Sequence, residues 1–370
     1  GHPCGCGYAA DGRVSNASAI YDNLSDRSPS AISLPLCDQE KKKEMKISDK
    51  IIGGYRITEA AELLSIIEET PLEELYEECH QITRRLCGDG FDTCAIINDK
   101  NGRCPEDCKW CAQSARHHTE IDPYGVLPIE VVVAAEAKNR EYGVRRFSIV
   151  SSGKRPTEGE MLRYEEQLRA MKANGAKHLC ASLGLCTEEQ LRRLRKAGLE
   201  TYHCNMESSP GYFGTVCTTH PQSAKEETIS AAKRVGLKVC SGGIVGMGET
   251  REDRVDFALH QAELGVGSIP INFLHPLPGT PLGERRFISP EEVLETICIF
   301  RLACPTAFLR YSGGRALLSP ETERMGLYVG INSAITGGLL TTVASVVSRD
   351  RELFHSAGYD TTQETKWENG

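Results

Sequence analysis

Eight short apolar runs recur between residues 92 and 340, each separated from the next by a stretch with helical patterning. They are 92–98 (DTCAIIN), 145–153, 178–184, 201–207, 238–247, 268–276, 307–315 and 331–340. Runs of this length with little polar alternation suit strands covered on both faces, as parallel strands are. The stretches 128–142, 157–174, 187–198, 222–236, 252–265, 290–303 and 320–328 read as helices, several ending at "AG", "VG" or "LG", where glycine suits a left-handed cap. Eight strands alternating with helices specify a (β/α)8 TIM barrel, whose functional side chains gather at the C-terminal ends of the strands. Barrels of roughly 250 residues or more form single domains, so the 370-residue chain needs only one large core.

From "ISDKIIGGYRITEAAELLSII" onward apolar residues recur at three and four, which predicts an N-terminal helical extension ahead of the barrel. Residues 1–47 are rich in Ser, Asp, Gly and Pro and end in "QEKKKEMK", the composition of a disordered extension. The expected organisation is therefore 1–47 disordered, 48–358 barrel and 359–370 flexible tail. Net charge is −8 with both signs interleaved, which excludes a surface built for nucleic acid or anionic lipid. The longest apolar run, "INSAITGGLLTTVASVVS", is broken by Asn332, two glycines and several hydroxyls and does not suit a membrane span. Sixteen Cys in a chain without a signal-peptide pattern point to a reducing, cytoplasmic setting. Cys79, Cys87, Cys298 and Cys304 lie in helix-like segments and read as small core hydrophobes.

The stretch "GRCPEDCKWCAQSA" sets Cys104, Cys108 and Cys111 in a C-x3-C-x2-C spacing, of which chance would supply about 0.03 copies in a chain of this composition. A structural zinc site wants four ligands in two short pairs, and no C-x2-C recurs downstream. Three thiolates instead match three irons of a [4Fe-4S] cubane and leave the fourth iron open to a ligand that is not protein. The triplet follows the first strand, which puts it over the barrel mouth.

The triplet with Trp110 before its third Cys resembles the radical S-adenosylmethionine superfamily. "RCPEDCKWCAQSA", "CSGGIVGMGET", "SIPINFLHPLPGTPL" and "FLRYSGGR" together resemble, within it, the biotin synthase family over roughly residues 55–355. The resemblance implies a [4Fe-4S] cluster on Cys104, Cys108 and Cys111 and S-adenosyl-L-methionine cleaved to a 5′-deoxyadenosyl radical. It further implies dethiobiotin as substrate, a flavodoxin- or ferredoxin-type electron donor and a homodimer. Ile244 then packs on the adenine, and the glycines of "SGGIVGMGE" admit a ligand close to the backbone. On the fourth strand His203, Asn205 and Glu207 share a face, with Cys204 opposite. Asn205 and Glu207 match the family's Asn and Asp that hold the ribose hydroxyls and the ureido group; the acid here is one methylene longer. Asn272 corresponds to a second ureido-binding Asn, with His203 beside the substrate.

The pattern breaks at the auxiliary cluster. Many members hold a [2Fe-2S] sulfur donor on Cys from strands two, three and five and an Arg from strand seven. Cys180, Cys240 and Arg310 match three of these positions, while the second-strand position is Ser148. Extra thiols appear at Cys186, Cys204 and Cys217. The expectation is an auxiliary cluster on Cys180, Cys217 and Cys240, with Cys204 joining if a bulge turns it inward, and with four irons rather than two. Alternatives are another radical S-adenosylmethionine barrel, such as a methylornithine-forming mutase or a hydrogenase maturase, or a non-catalytic iron–sulfur or zinc redox protein.

Overall fold

The computed structural model describes residues 45–337, 347–363 and 365. The expected disordered segment up to residue 44, with Cys4, Cys6 and Cys37, lies outside them, as does the end of the eighth apolar run. Nine strand segments form one parallel sheet: β1 Asp92–Lys100, β2 Arg146–Ser151, β3 His178–Ser182, β4 Thr201–His203, β5 Lys238–Cys240, β6 Gly243–Val245, β7 Ser268–Phe273, β8 Phe308–Tyr311 and β9 Ser333–Ile335. Their order is β5-β4-β3-β2-β1-β9-β8-β7-β6, and Cys240 of β5 pairs with Ser268 of β7, which closes the circle. Since β5 and β6 are one strand interrupted at Ser241–Gly242, the sheet is the expected eight-stranded barrel.

Glycines stand at and just after the interruption, where neighbouring backbone comes close. A Cβ on Gly242 would lie 1.9 Å from the Pro270 carbonyl oxygen, and one on Gly243 would lie 2.4 Å from the backbone of Glu207. These two glycines thus serve the approach of neighbouring strands to each other, where the sequence reading assigned the glycines of this motif to a ligand.

Outside the barrel run helices Ile129–Glu141, Glu158–Ala173, Glu188–Lys196, Ser223–Arg234, Arg251–Glu263, Pro290–Ala303 and Pro320–Val329, each within a few residues of its sequence range. Thr157, Thr187, Thr250 and Ser289 start four of them with reciprocal capping boxes, each side chain accepting from the third helical N–H. Gly198, Gly236 and Gly265 have positive φ just past three helix ends, as the "AG", "VG" and "LG" pattern requires. Helices Ile47–Ile52, Ala60–Glu69 and Leu72–Cys87 precede the barrel. Helix Pro210–Val216 after β4 and helix Val347–Ser356 are additions to the sequence reading. Cys79, Cys87, Cys298 and Cys304 are buried in the apolar layers, as expected. The expected C-terminal tail begins packed, since Tyr359 and Thr361 are buried and Gly90 bridges Asp360. Among the described residues no helix is long and apolar enough to cross a membrane.

Inside the barrel, alternation stacks side chains in layers. The lowest holds Asp92, with no exposed surface, accepting from Arg146 Nε at 2.9 Å and from Arg310 Nη2. Arg146 also reaches Glu200 at 3.2 Å. Burial would raise the Asp92 pKa, but the two guanidiniums outweigh it and hold the carboxylate below its ordinary range.

Candidate active site

The triplet loop leaves β1 and folds on itself. Cys104 N donates to the Gln113 carbonyl at 2.9 Å, Ala115 N to the Cys104 carbonyl at 2.8 Å, and Cys111 N to the Cys108 carbonyl at 3.0 Å. His117 Nε2 lies 3.0 Å from the Cys108 carbonyl, and Lys109 N donates to the Val216 carbonyl at 3.0 Å. Backbone and side-chain bonds thus tie the loop to itself and to the end of helix Pro210–Val216. All three thiols are free, half-buried and line one cavity of about 320 Å³ at the C-terminal ends of the strands. Burial pushes the Cys111 thiol up to about 11, so deprotonation there calls for a cation or metal nearby. Three convergent, inwardly directed thiols over a cavity fit a cubane with one iron left open.

Asn205, Glu207 and Asn272 line the same cavity and an adjoining one of about 240 Å³, which Trp110 and Ile244 also border. Glu207 has φ +73°, a left-handed conformation rare for a residue with a side chain. Its backbone is pinned there, its N–H donating to Gly242 and its carbonyl accepting from Ile244 N at 2.9 Å. Burial raises the Glu207 pKa to about 7, opposed by Lys225 and by a hydrogen bond from Asn205. Asn205 Oδ1 accepts from Gly242 N at 3.2 Å. Asn272 spans two segments: its Nδ2 donates to the Gly243 carbonyl at 2.9 Å and its Oδ1 accepts from Gly313 N at 2.9 Å. One lone pair and one N–H of that amide stay available to a ligand.

The proposed auxiliary donors separate. Cys180 and Cys240, each 1% exposed, lie inside the barrel below the cavity and both face the His203 imidazole. Arg310 reaches the Ser268 hydroxyl at 3.3 Å, and Cys240 Sγ donates to the same hydroxyl at 3.5 Å. Cys217 is elsewhere: its Sγ is 3.6 Å from Cys108 Sγ and 3.5 Å from His220 Nδ1. The short helix Pro210–Val216 and the Asp107 carboxylate, which accepts from Thr218 N at 2.9 Å, pin this thiol against the triplet loop and away from Cys180 and Cys240. The Cys108 contact, more than His220, lowers the Cys217 pKa to about 4 and correspondingly raises that of Cys108. Cys204, one residue past the end of β4, borders the cavity, yet its thiol turns to the Lys225 carbonyl at 3.9 Å. Cys186 is buried in the main core beside Tyr202.

Sequence reasoning passed over Glu106, His220 and Lys225 around the triplet, and Cys94 on β1. Glu106 and His220 are hydrogen-bonded to each other, and with Cys217 they form the one group of three potential ligands within 4.8 Å of one another among the described residues. Alternation along β1 was the available signal for Cys94, since Asp92, Cys94 and Ile96 share the inward face.

Fold and site together define a radical S-adenosylmethionine enzyme. A model described as "Radical SAM superfamily" matches residues 100–260, and one described as "Biotin and Thiamin Synthesis associated domain" matches 270–360. The chain is 49% identical to a biotin synthase of Porphyromonas gingivalis, over 87% of this chain and 97% of the relative. It is 48% identical to one of Parabacteroides distasonis, over 86% and 97%. The chain belongs to the biotin synthase family. In fold it is similar to a methylornithine synthase (TM-score 0.74, 18% identity, 86% and 97% covered) and to an [FeFe]-hydrogenase maturase (0.72, 17%, 85% and 74%). At such low identity these two likenesses speak for the barrel alone.

Proposed function

We propose that this barrel inserts sulfur into dethiobiotin, with S-adenosylmethionine and substrate stacked in the paired cavities and an auxiliary iron–sulfur cluster beneath them as the sulfur source. The observation that carries this reading is the convergence of the three triplet thiols, Asn205, Asn272 and Glu207 on a single cavity above the interior thiols Cys180 and Cys240. S-adenosylmethionine on a cubane reduced by a flavodoxin- or ferredoxin-type donor supplies a 5′-deoxyadenosyl radical.

The chain's own residues hold and orient. Trp110 and Ile244 wall the cavity with apolar surface suited to the adenine, and Glu207 and Asn205 accept and donate at the ribose hydroxyls. Glu207 costs energy to ionise where it is buried, and hydroxyl donors or the nearby Lys225 offset that cost. Asn272 offers its remaining donor and acceptor to a neutral ureido, whose own groups are one acceptor and two donors. Its two backbone bonds lock the amide orientation before substrate arrives, which reduces the entropy lost on binding. His203 sits at the lower wall, between the cavity and Cys180 and Cys240.

The test is anaerobic turnover of the reconstituted protein with S-adenosylmethionine, a reductant and dethiobiotin, following 5′-deoxyadenosine and biotin together. Both should form, and alanine at Cys104, Cys108 or Cys111 should abolish both. Undiminished 5′-deoxyadenosine from the triple alanine variant would refute the radical assignment.

A further inference from the structure

The thiol layer beneath the cavity contains one member that the family pattern does not supply. β1 directs Asp92, Cys94 and Ile96 inward. β2 directs Arg146 and Ser148 inward, with Ser148 in register with Ile96 on one side and Cys180 on the other. Cys94, Cys180 and Cys240 are each 1% exposed. Cys94 lies one inward step below Ile96, in register with Arg146, and its thiol faces that of Cys180 across the intervening β2. One inward step above Arg146, and level with Cys180, β2 offers Ser148, whose hydroxyl is buried, borders the cavity and has no hydrogen-bond partner among the described residues. Arg310 faces both Cys94 and Cys240, placing a fixed positive charge where thiolates have to form.

We propose that Cys94 supplies the thiolate that position 148 lacks, so that Cys94, Cys180 and Cys240 hold the auxiliary iron–sulfur cluster with Arg310 and His203 at its edge. This rests on the reading above that an auxiliary cluster is the sulfur source, and it changes that cluster's ligands. Cys217, the donor expected from the sequence, is engaged with the triplet loop. The three interior thiols come from three different strands and do not form one of the tight groups that suit a single metal ion, whereas a polynuclear cluster spreads its ligands. Thiolates are the donors iron–sulfur clusters take, and a guanidinium beside them favours deprotonation as iron enters.

The experiment is iron and sulfide analysis with Mössbauer spectroscopy on the anaerobically reconstituted full chain. The parent should show two cluster components. Cys94→Ala should lose the interior component and fall to about four irons per chain, the content of the triplet cubane alone. Cys217→Ala should retain the interior component. The double variant Cys94→Ala/Ser148→Cys should regain it, because a thiol is returned level with Cys180 from the neighbouring strand. This rescue separates a ligand from a residue needed only for packing, and it reads out even if Cys94→Ala alone folds poorly. Persistence of both components in Cys94→Ala overturns the inference, as does their loss in Cys217→Ala instead or a folded double variant lacking the interior component. A parent with a single component at about four irons refutes the auxiliary-cluster reading itself, a distinct result.

Discussion

Replacing Asp92 by Asn removes the one carboxylate shared by two buried guanidiniums. Asp92 is fully buried, Arg146 and Arg310 are each 2% exposed, and Asn can satisfy only part of what the carboxylate accepts. Arg146 keeps Glu200 at 3.2 Å, but Arg310 is left with neutral acceptors, the Ser268 hydroxyl and the Asp92 and Ala334 carbonyls. Breaking a buried pair of this kind costs about 3–5 kcal/mol. With an unfolding entropy of about 2.1 cal/mol/K per residue over the 311 described residues, that corresponds to a Tm lower by about 5–8 °C. The sign with pH follows from the depressed native pKa. The stabilisation is complete above the unfolded value, about 3.9, and is lost as pH falls through the lower native value. Calorimetry of the metal-free protein should therefore show a constant gap between parent and variant from pH 8 to 5 that narrows in stronger acid. A Tm within about 1 °C of the parent at pH 7, or a gap that widens in acid, would refute the assignment of this ion pair as a structural plug.

Two further outcomes follow from side chains nearer the rim. Asn272→Leu should weaken dethiobiotin binding by about 1–3 kcal/mol, roughly 5- to 150-fold, measured by titration of the cofactor-loaded protein; unchanged affinity would exclude the ureido contact. Asp99 is fully buried, accepts from Gln167 Nε2 at 3.0 Å, and has its pKa raised to about 6 by burial, so stability is lost as pH rises from about 4 through 6, by up to about 3 kcal/mol. Asp99→Asn should escape that loss, and its urea midpoint should gain on the parent between pH 4 and 7; a gap independent of pH would show that the carboxyl does not titrate there.

The barrel was legible in the sequence because parallel strands buried on both faces leave apolar runs, and because capping threonines and left-handed glycines punctuate the helices between them. The split between β5 and β6 was not, since what Gly242 and Gly243 approach there, Pro270 and Glu207, lies elsewhere in the chain. Among the site residues, the triplet could be read from spacing alone. His203, Asn205 and Glu207 all line the cavity, but β4 ends at His203, Glu207 is left-handed and Cys204 lines the cavity too, so strand alternation is not what places them. Cys217 could not be placed, because helix Pro210–Val216 is short and weakly patterned and its end is fixed by Asp107, more than a hundred residues earlier. Cys94 went unnoticed for the opposite reason: in an apolar strand run a cysteine looks like any other small hydrophobe, and only the opposing strand shows what it faces.

The layered interior also makes the barrel a blind well. Its lower end is stopped by Asp92, Arg146 and Arg310, all buried, and its mouth is ringed by the loop that carries Cys104, Cys108 and Cys111. Anything delivered to the level of Cys180 and Cys240 has to descend past that loop, and anything bound at the mouth sits on the route. A group seated at the mouth therefore stands between solvent and the thiols beneath it.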